Sequence, residues 1–414
     1  MKNEIKNNID NPGQLEKLYR DNKAIFKKEF NLVFPDIQET TTAQVWKERL
    51  NFETEEISWG SNKELLFIVI ASFIAGLIAK IPDLTGLNPE YFYPRNISFV
   101  VFPLLAVYFA WKQKIPTKNL ILGAIAIIIS AIYINSLPNN NESDTLILAC
   151  IHLPLLLWAI LGASFVGDKL KSYTKRLEFL RFNGDLVVMT GLLLIAGGLL
   201  TGITLGLFSL IELDIEDFYF KYIVIWGLAA APIVATYLVR TNPQLVNKVS
   251  PVIAKVFTPL LFVMLVIYLC AVIFTGKDPY NDREFLMIFN VLLIGVMAII
   301  LFSIAETSKN SKNKIGALAL LGLSIVTIIV NGIALSAIVF RISELGITPN
   351  RLAVLGGNIL ILTNLLLVTF NQFKAMKDGN KVDKVENSIA SFLPVYIVWA
   401  ILVTFIFPIL FNFK

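Results

Sequence analysis

Seven side chains stand where this sequence could do chemistry. His152 is the only histidine, and Pro154 two residues later loosens the backbone ladder around it. Placed in an apolar run that starts near Thr145, it lies roughly 10 Å from the end of that run at 1.5 Å per residue. It reads either as a neutral imidazole bonded to a neighbouring helix or as a group that senses protons or a ligand. Asn290, Asn331 and Asn358 sit in three later apolar runs. Helical spacing predicts a depth like that of His152, so the four could line a polar pocket open to the outside. The alternative is that each amide bonds helix to helix, worth about 0.6 kcal/mol on average. The remaining three, Arg341, Glu344 and Arg351, belong to the stretch Arg341-Ile-Ser-Glu-Leu-Gly-Ile-Thr-Pro-Asn-Arg351. Two cations flanking a short turn repel by about 1 kcal/mol even in water. They therefore call for a negative partner: Glu344, Glu284 or the acidic loop from Glu212 to Asp217, or else an outside anion or lipid headgroup. The structural alternative is a pinned hairpin with snorkelling arginines.

Other chemistry is short of residues. With one histidine and two cysteines, Cys150 and Cys270, no zinc cluster can be assembled. Both thiols lie in apolar runs and read as reduced packing residues. Asp214, Glu216 and Asp217 could take a cation, but a solvated acidic loop explains them as well. The phosphate-binding pattern G-x-x-x-x-G-K-[ST], the nucleophile elbow G-x-S-x-G and the zinc motif H-E-x-x-H are missing from the sequence. The expectation is a protein that is not an enzyme, has no cofactor or metal, and binds no nucleic acid.

The elements that must position these residues follow from composition. Of 414 residues, 56% are hydrophobic and 16% charged, with a mean hydropathy of +0.68. A soluble domain carries about 25% charged residues, so this chain cannot cover a core of its size with a charged surface. The fold class is all-α: a polytopic transmembrane helix bundle of about eleven spans with a small N-terminal helical region. Crossing ~30 Å of hydrocarbon takes about 20 apolar residues. Eleven such runs lie near 65–81, 96–111, 119–136, 145–166, 186–211, 220–239, 251–275, 285–305, 315–340, 352–371 and 389–412. No Asp, Glu, Lys or Arg is expected in them away from their ends, which disfavours a proton- or sodium-driven transporter.

Lys and Arg fix the orientation. Loops on one side hold 18 of them and loops on the other 7, the second set including Lys80, Arg95, Lys221, Arg341 and Arg351. This bias places residues 1–63 in the cytoplasm and the C-terminus outside. Residues 1–63 form the first domain and 64–414 the second. The first carries 10 Lys+Arg and 11 Asp+Glu, and no run in it suits a signal peptide. Leu15, Leu18, Tyr19, Ile25, Phe26 and Phe30 recur at helical spacing. Asn11-Pro12 opens that segment, Phe34-Pro35 closes it, and Thr40 to Thr42 precede a further helix bearing Val45, Trp46 and Leu50. The expectation is two or three helices whose apolar stripe packs on the membrane domain, a partner or another copy. Gly198, Gly202 and Gly206 form a small-xxx-small strip suited to close helix packing or self-association.

The hairpin pattern Arg-x-x-Glu-x-Gly-Ile-Thr-x-x-Arg, carried here by Arg341, Glu344, Gly346, Thr348 and Arg351, resembles the signature of bacterial polytopic membrane proteins grouped as domain-of-unknown-function family 4153, and of a related group. Leu345 departs from the aromatic residue common before the glycine in those families. The resemblance covers spans 7 to 11. It implies a bacterial cytoplasmic-membrane protein and brings no established activity. Function then leans to a permease or channel-like protein for a small uncharged or anionic solute. The alternative is a non-catalytic sensor or scaffold that acts through the N-terminal region. Its partners are the bilayer and, through residues 1–63 or the glycine strip, a protein or second copy.

Overall fold

A computed structural model describes the chain apart from residues 1, 22, 52–59, 141, 211–212, 244, 246–257, 268, 271–273, 275–279, 281–282, 308–313 and 378–381. The described residues are helical, with no strand among them. They fall into two compact units, Met1–Ser58 and Trp59–Lys414.

The N-terminal unit holds four helices: α1 (Lys2–Asn7), α2 (Pro12–Asp21), α3 (Lys23–Ile37) and α4 (Thr41–Asn51). The local signals act as expected. Asn11 Oδ1 accepts from the Gln14 amide at 3.2 Å and Thr40 Oγ1 from that of Ala43 at 3.3 Å, each capping a helix start. Pro35 stands in the last turn of α3, and the helix closes two residues after it. The apolar stripe turns inward. Leu15, Phe26 and Phe30 are fully buried with Ile5, Val33, Trp46 and Leu50, and Leu18 and Tyr19 pack against them. Ile25 lies outside the described side chains. The expected outside partner for this stripe is thus replaced by a fourth helix and an aromatic cluster. Phe26 meets Tyr19 at 5.7 Å and Trp46 at 5.1 Å between centroids. Glu16 joins the outer faces of α2 and α4, 2.8 Å from Arg20 Nε and 2.8 Å from Arg49 Nη2.

Those contacts make the unit sensitive to acid. The Arg20 hydrogen bond, with Arg49 behind it, holds the Glu16 carboxyl below its ordinary range against partial desolvation. A lowered folded pKa gives stability that is present above the ordinary glutamate value of about 4.3 and is lost as pH falls through the folded value. Hydrogen-exchange protection factors over residues 2–51 should therefore fall below that pH in the wild type. Glu16→Gln should flatten this dependence; an unchanged acid profile would remove Glu16 from the account.

In the second unit, nine helical segments among the described residues are long and apolar enough to cross a membrane. They are built from α5 (Asn62–Ala79), which the short α6 (Ile81–Thr85) follows, α7 (Pro89–Asn96) with α8 (Phe102–Gln113), α9 (Thr117–Ser136), α10 (Asp144–Val166), α11 (Tyr173–Leu210), α12 (Glu216–Phe218) with α13 (Ile225–Thr241), then α16 (Lys314–Leu345), α17 (Pro349–Lys377) and α18 (Val382–Ile401) with α19 (Phe407–Leu410). The other two apolar runs carry shorter apolar stretches, α14 (Thr258–Ile267) and Phe289–Ala305 within α15 (Arg283–Thr307); much of run 251–275 lies outside the described residues.

The surface is apolar where a bilayer would lie. Ile125, Ile128, Ile129 and Ile132 of α9 and Ile195, Leu199, Leu200 and Ile203 of α11 all face outward. Patches of that extent are rare on soluble proteins, and the chain is a membrane protein on these grounds. Beside two smaller clusters, two larger interior ones hold the bundle among the described residues. One joins α5, α8, α10, α11 and α13; the other joins α14 to α18. Helix α11 runs unbroken from Tyr173, so Lys175, Arg176 and Arg181 lie on a helix and not in a loop. Charge density suggests a loop there, but no helix breaker precedes Gly184. Glycine allows closest approach at Gly184 against Phe302, Gly76 against Trp226 and Gly356 against Trp399. A Cβ at Gly356 would enter the indole. Gly356→Ala should lower the thermal midpoint in detergent by the equivalent of about 1–3 kcal/mol, the usual cost of overpacking, while Gly357→Ala, which meets nothing, should not.

Candidate functional site

The hairpin between α16 and α17 folds as its residues dictate. Gly346 ends α16 at φ 76°, a conformation that favours glycine. Thr348 Oγ1 accepts from the Arg351 amide at 3.3 Å and Pro349 opens α17. Among the described residues no carboxylate lies within 4.0 Å of Arg341 or Arg351, so Glu344 makes no clasp with them. The Glu284 side chain and Glu212 lie outside the described residues. Arg351 turns back over the hairpin instead. Its Nη1 donates to Leu345 O at 2.8 Å and Gly346 O at 2.7 Å, which satisfies the open carbonyls at the end of α16. Glu344 is exposed, and Arg341 keeps Nη1 buried without a partner among the described residues. Losing a charged donor to two carbonyls costs about 1.5–3 kcal/mol at most for an exposed group. Arg351→Ala should thus lower the detergent melting point, with Arg351→Lys recovering part of it.

The buried amides divide. Asn358 Nδ2 donates to Asn290 Oδ1 at 2.8 Å, and Asn290 Nδ2 donates to Leu286 O at 2.7 Å. Two of the three predicted amides are therefore neighbours, and they staple α15 to α17. Asn331 is 0% exposed on α16, and neither its Oδ1 nor its Nδ2 has a partner among the described residues. His152 Nδ1 lies 2.9 Å from Leu148 O, one turn back on its own helix, so it bonds no neighbouring helix through that atom. The glycine strip points away from the bundle. A Cβ at Gly198, Gly202 or Gly206 would meet nothing within 4 Å. Among the described residues no group of three His, Cys, Asp or Glu could hold a metal ion.

The strongest electrostatic constellation lies at the opposite end from the hairpin. Glu64, in the first turn of α5, is only 4% exposed. Tyr108 of α8 donates its hydroxyl to Glu64 Oε1 at 2.5 Å, and Lys112 Nζ lies 2.9 Å from the same oxygen. Ser61 caps the helix, accepting from the Glu64 amide at 3.3 Å. Gly60 passes close by at φ 59°, where a Cβ would meet Thr241 at 3.0 Å and the Glu64 carboxylate and Tyr237 hydroxyl at 3.3 Å. Arg240 lies over Phe109 and Phe165, 5.8 and 5.6 Å from the ring centroids. The group ties α5, α8 and α13 together, and Lys112 compensates the Glu64 charge within it. The sequence holds one trace of it: an acid three residues after a serine cap in a chain with few membrane-depth acids.

Other buried cations are also tied to backbone. Arg95, 2% exposed, donates to Tyr91 O at 3.2 Å and Pro138 O at 3.4 Å and stacks on the Tyr91 ring at 4.1 Å. Lys80 pairs with Asp83, donates to Lys221 O at 3.0 Å and lies 5.0 Å from the Tyr222 ring centroid. The Lys80 contact holds the Asp83 carboxyl below its ordinary range. Carbonyl and aromatic partners satisfy both cations where they stand. No protein-family model, no curated protein and no solved structure matches the chain.

Proposed function

We propose that this is a non-catalytic, eleven-span protein of a bacterial cytoplasmic membrane, of the kind its hairpin resembles. The bundle is an anchor or sensor, and the N-terminal helical unit, in the cytoplasm, makes the working contact. The observation that carries the reading is the separate core of Met1–Ser58, closed by its own aromatic cluster. The polar side chains of the bundle support it: most are turned to carbonyls or to one another, as an anchor requires. Contacts between helix ends support the span count. Asn290 of α15 meets Asn358 near the hairpin end, while Ala305, 15 residues and about 22 Å further along the same helix, accepts from Arg181. Thr258 at the start of α14 meets Ser303 at 2.7 Å. The outward Gly198–Gly202–Gly206 strip offers a second copy or partner helix a close approach.

Two experiments test the reading. In a variant without Cys150 and Cys270, a cysteine at Asn140 should react from outside and one at Ser172 only after permeabilisation; the reverse pattern would sink the orientation. A photo-crosslinker at Leu32 or Val45, both more than half exposed on the N-terminal unit, should give one discrete adduct in cells. Adducts no different from those of Leu199, in the lipid-facing stretch, would count against it. The second reading is a path for a small uncharged or anionic solute. The unpaired, fully buried amide of Asn331 favours it, because a membrane-depth polar group without a partner is costly unless something visits it.

A further inference from the structure

We infer that a slot between α10, α11 and α18 holds an acyl chain of an anionic phospholipid, with its phosphate met by Arg176, Lys169 and Lys171. The slot has a volume of about 140 Å³ and a lining that is apolar apart from Arg176. Trp158 is among its lining residues, held by a 2.9 Å bond from Nε1 to Asn183 Oδ1. Gly162, Phe179 and Pro394 form its walls, and Ala163 and Leu170 are exposed at its opening. The slot is open along one side, and an apolar groove of this kind favours hydrocarbon over water. From Trp158 to Val166 the slot follows about 12 Å of helix. That shape suits a chain and is too narrow for a helix about 10 Å across.

The mouth supplies the charge. Pro394 has no amide hydrogen, so the carbonyl of Ala390 four residues before it lacks its helical donor. Arg176 Nη1 takes that carbonyl at 3.0 Å, and Arg176 Nε takes Leu170 O at 2.8 Å. The guanidinium is thus fixed at the mouth by two neutral acceptors. Lys169 and Lys171 are exposed on either side of Leu170 in the chain, whereas Lys175 is paired with Glu178 at 2.6 Å. Among the described residues no carboxylate lies within 4.0 Å of Arg176, Lys169 or Lys171. Arg176 in the lining, with Lys169 and Lys171 flanking Leu170 of that lining and only Asp168 against them on the same segment, matches a phosphodiester on an acyl chain; basic pockets between spanning helices recognise anionic headgroups in this way.

Native mass spectrometry of the full-length protein tests this, with phosphatidylglycerol and phosphatidylcholine of identical chains as probes. The wild type should retain phosphatidylglycerol about fivefold better, and Arg176→Gln or Lys171→Gln should each lower that retention about fivefold. Ala163→Trp should block both lipids by filling the opening. It and Lys171→Gln leave the carbonyl bonds of Arg176 intact, so they stand if Arg176→Gln misfolds. Lys414→Gln, beside Thr145 at the other end of α10, should change nothing. Glycerol 3-phosphate should not compete, which separates a lipid from a free phosphate. Equal retention of the two lipids, unchanged phosphatidylglycerol binding by Ala163→Trp, or displacement by glycerol 3-phosphate would each overturn the site.

Discussion

Phe26→Ala should unfold the N-terminal unit within the full-length protein while the membrane unit keeps its melting point. Phe26 is fully buried between Tyr19, Phe30 and Trp46. Truncating such a phenylalanine costs about 3–5 kcal/mol. Stability runs at 0.05–0.15 kcal/mol per residue, so a unit of this size has about 3–9 kcal/mol in total. The loss is comparable with all it has. Limited proteolysis and hydrogen exchange over residues 2–51 should show the change directly. Leu32→Ala, on the exposed face of the same helix, should leave protection as it is. Equal effects from the two would mean that the aromatic cluster is not what holds the unit.

Glu64→Ala should have the largest effect of any single polar change in the bundle. It removes the acceptor of the buried Tyr108 hydroxyl and the partner of Lys112 together. Breaking a fully buried pair costs about 3–5 kcal/mol. Lys112 is 37% exposed and can turn to water, so about 2–3 kcal/mol is expected here. Glu64→Gln keeps an acceptor for Tyr108 and should cost about half as much. A cycle of Glu64→Gln and Lys112→Gln, followed by thermal melts in detergent, should give non-additive losses. Additive losses would mean that the ion pair contributes nothing.

The parts of this structure that were legible in sequence are those set by neighbours along the chain. Gly346, Thr348 and Pro349 fix the hairpin within four residues. Asn11 and Thr40 fix helix starts in the same way, and apolar length sets most of the spans. What was not legible joins residues far apart. Lys112 reaches Glu64 across 48 positions, Arg176 reaches Ala390 across 214, and Arg181 reaches Ala305 across 124. Nothing local distinguishes a cation bound for a distant carbonyl from one bound for water. The glycine strip illustrates the same limit: its spacing reads alike whether it faces the bundle or, as here, the outside. Glu344 illustrates it in reverse. It is the nearest carboxylate in sequence to both arginines, yet Arg351 finds two unsatisfied carbonyls closer in space.

If, as proposed, the bundle anchors and the N-terminal unit acts, the purified protein in liposomes carries no solute flux. Vesicles containing the full-length protein should show no more swelling in glycerol or urea, and no more halide entry, than empty vesicles. Asn331→Leu, which replaces the unpaired amide by an apolar side chain of similar size, should leave that baseline unchanged. Flux of a neutral solute or halide above the empty-vesicle rate, abolished by Asn331→Leu, would contradict the claim and establish the bundle as a path.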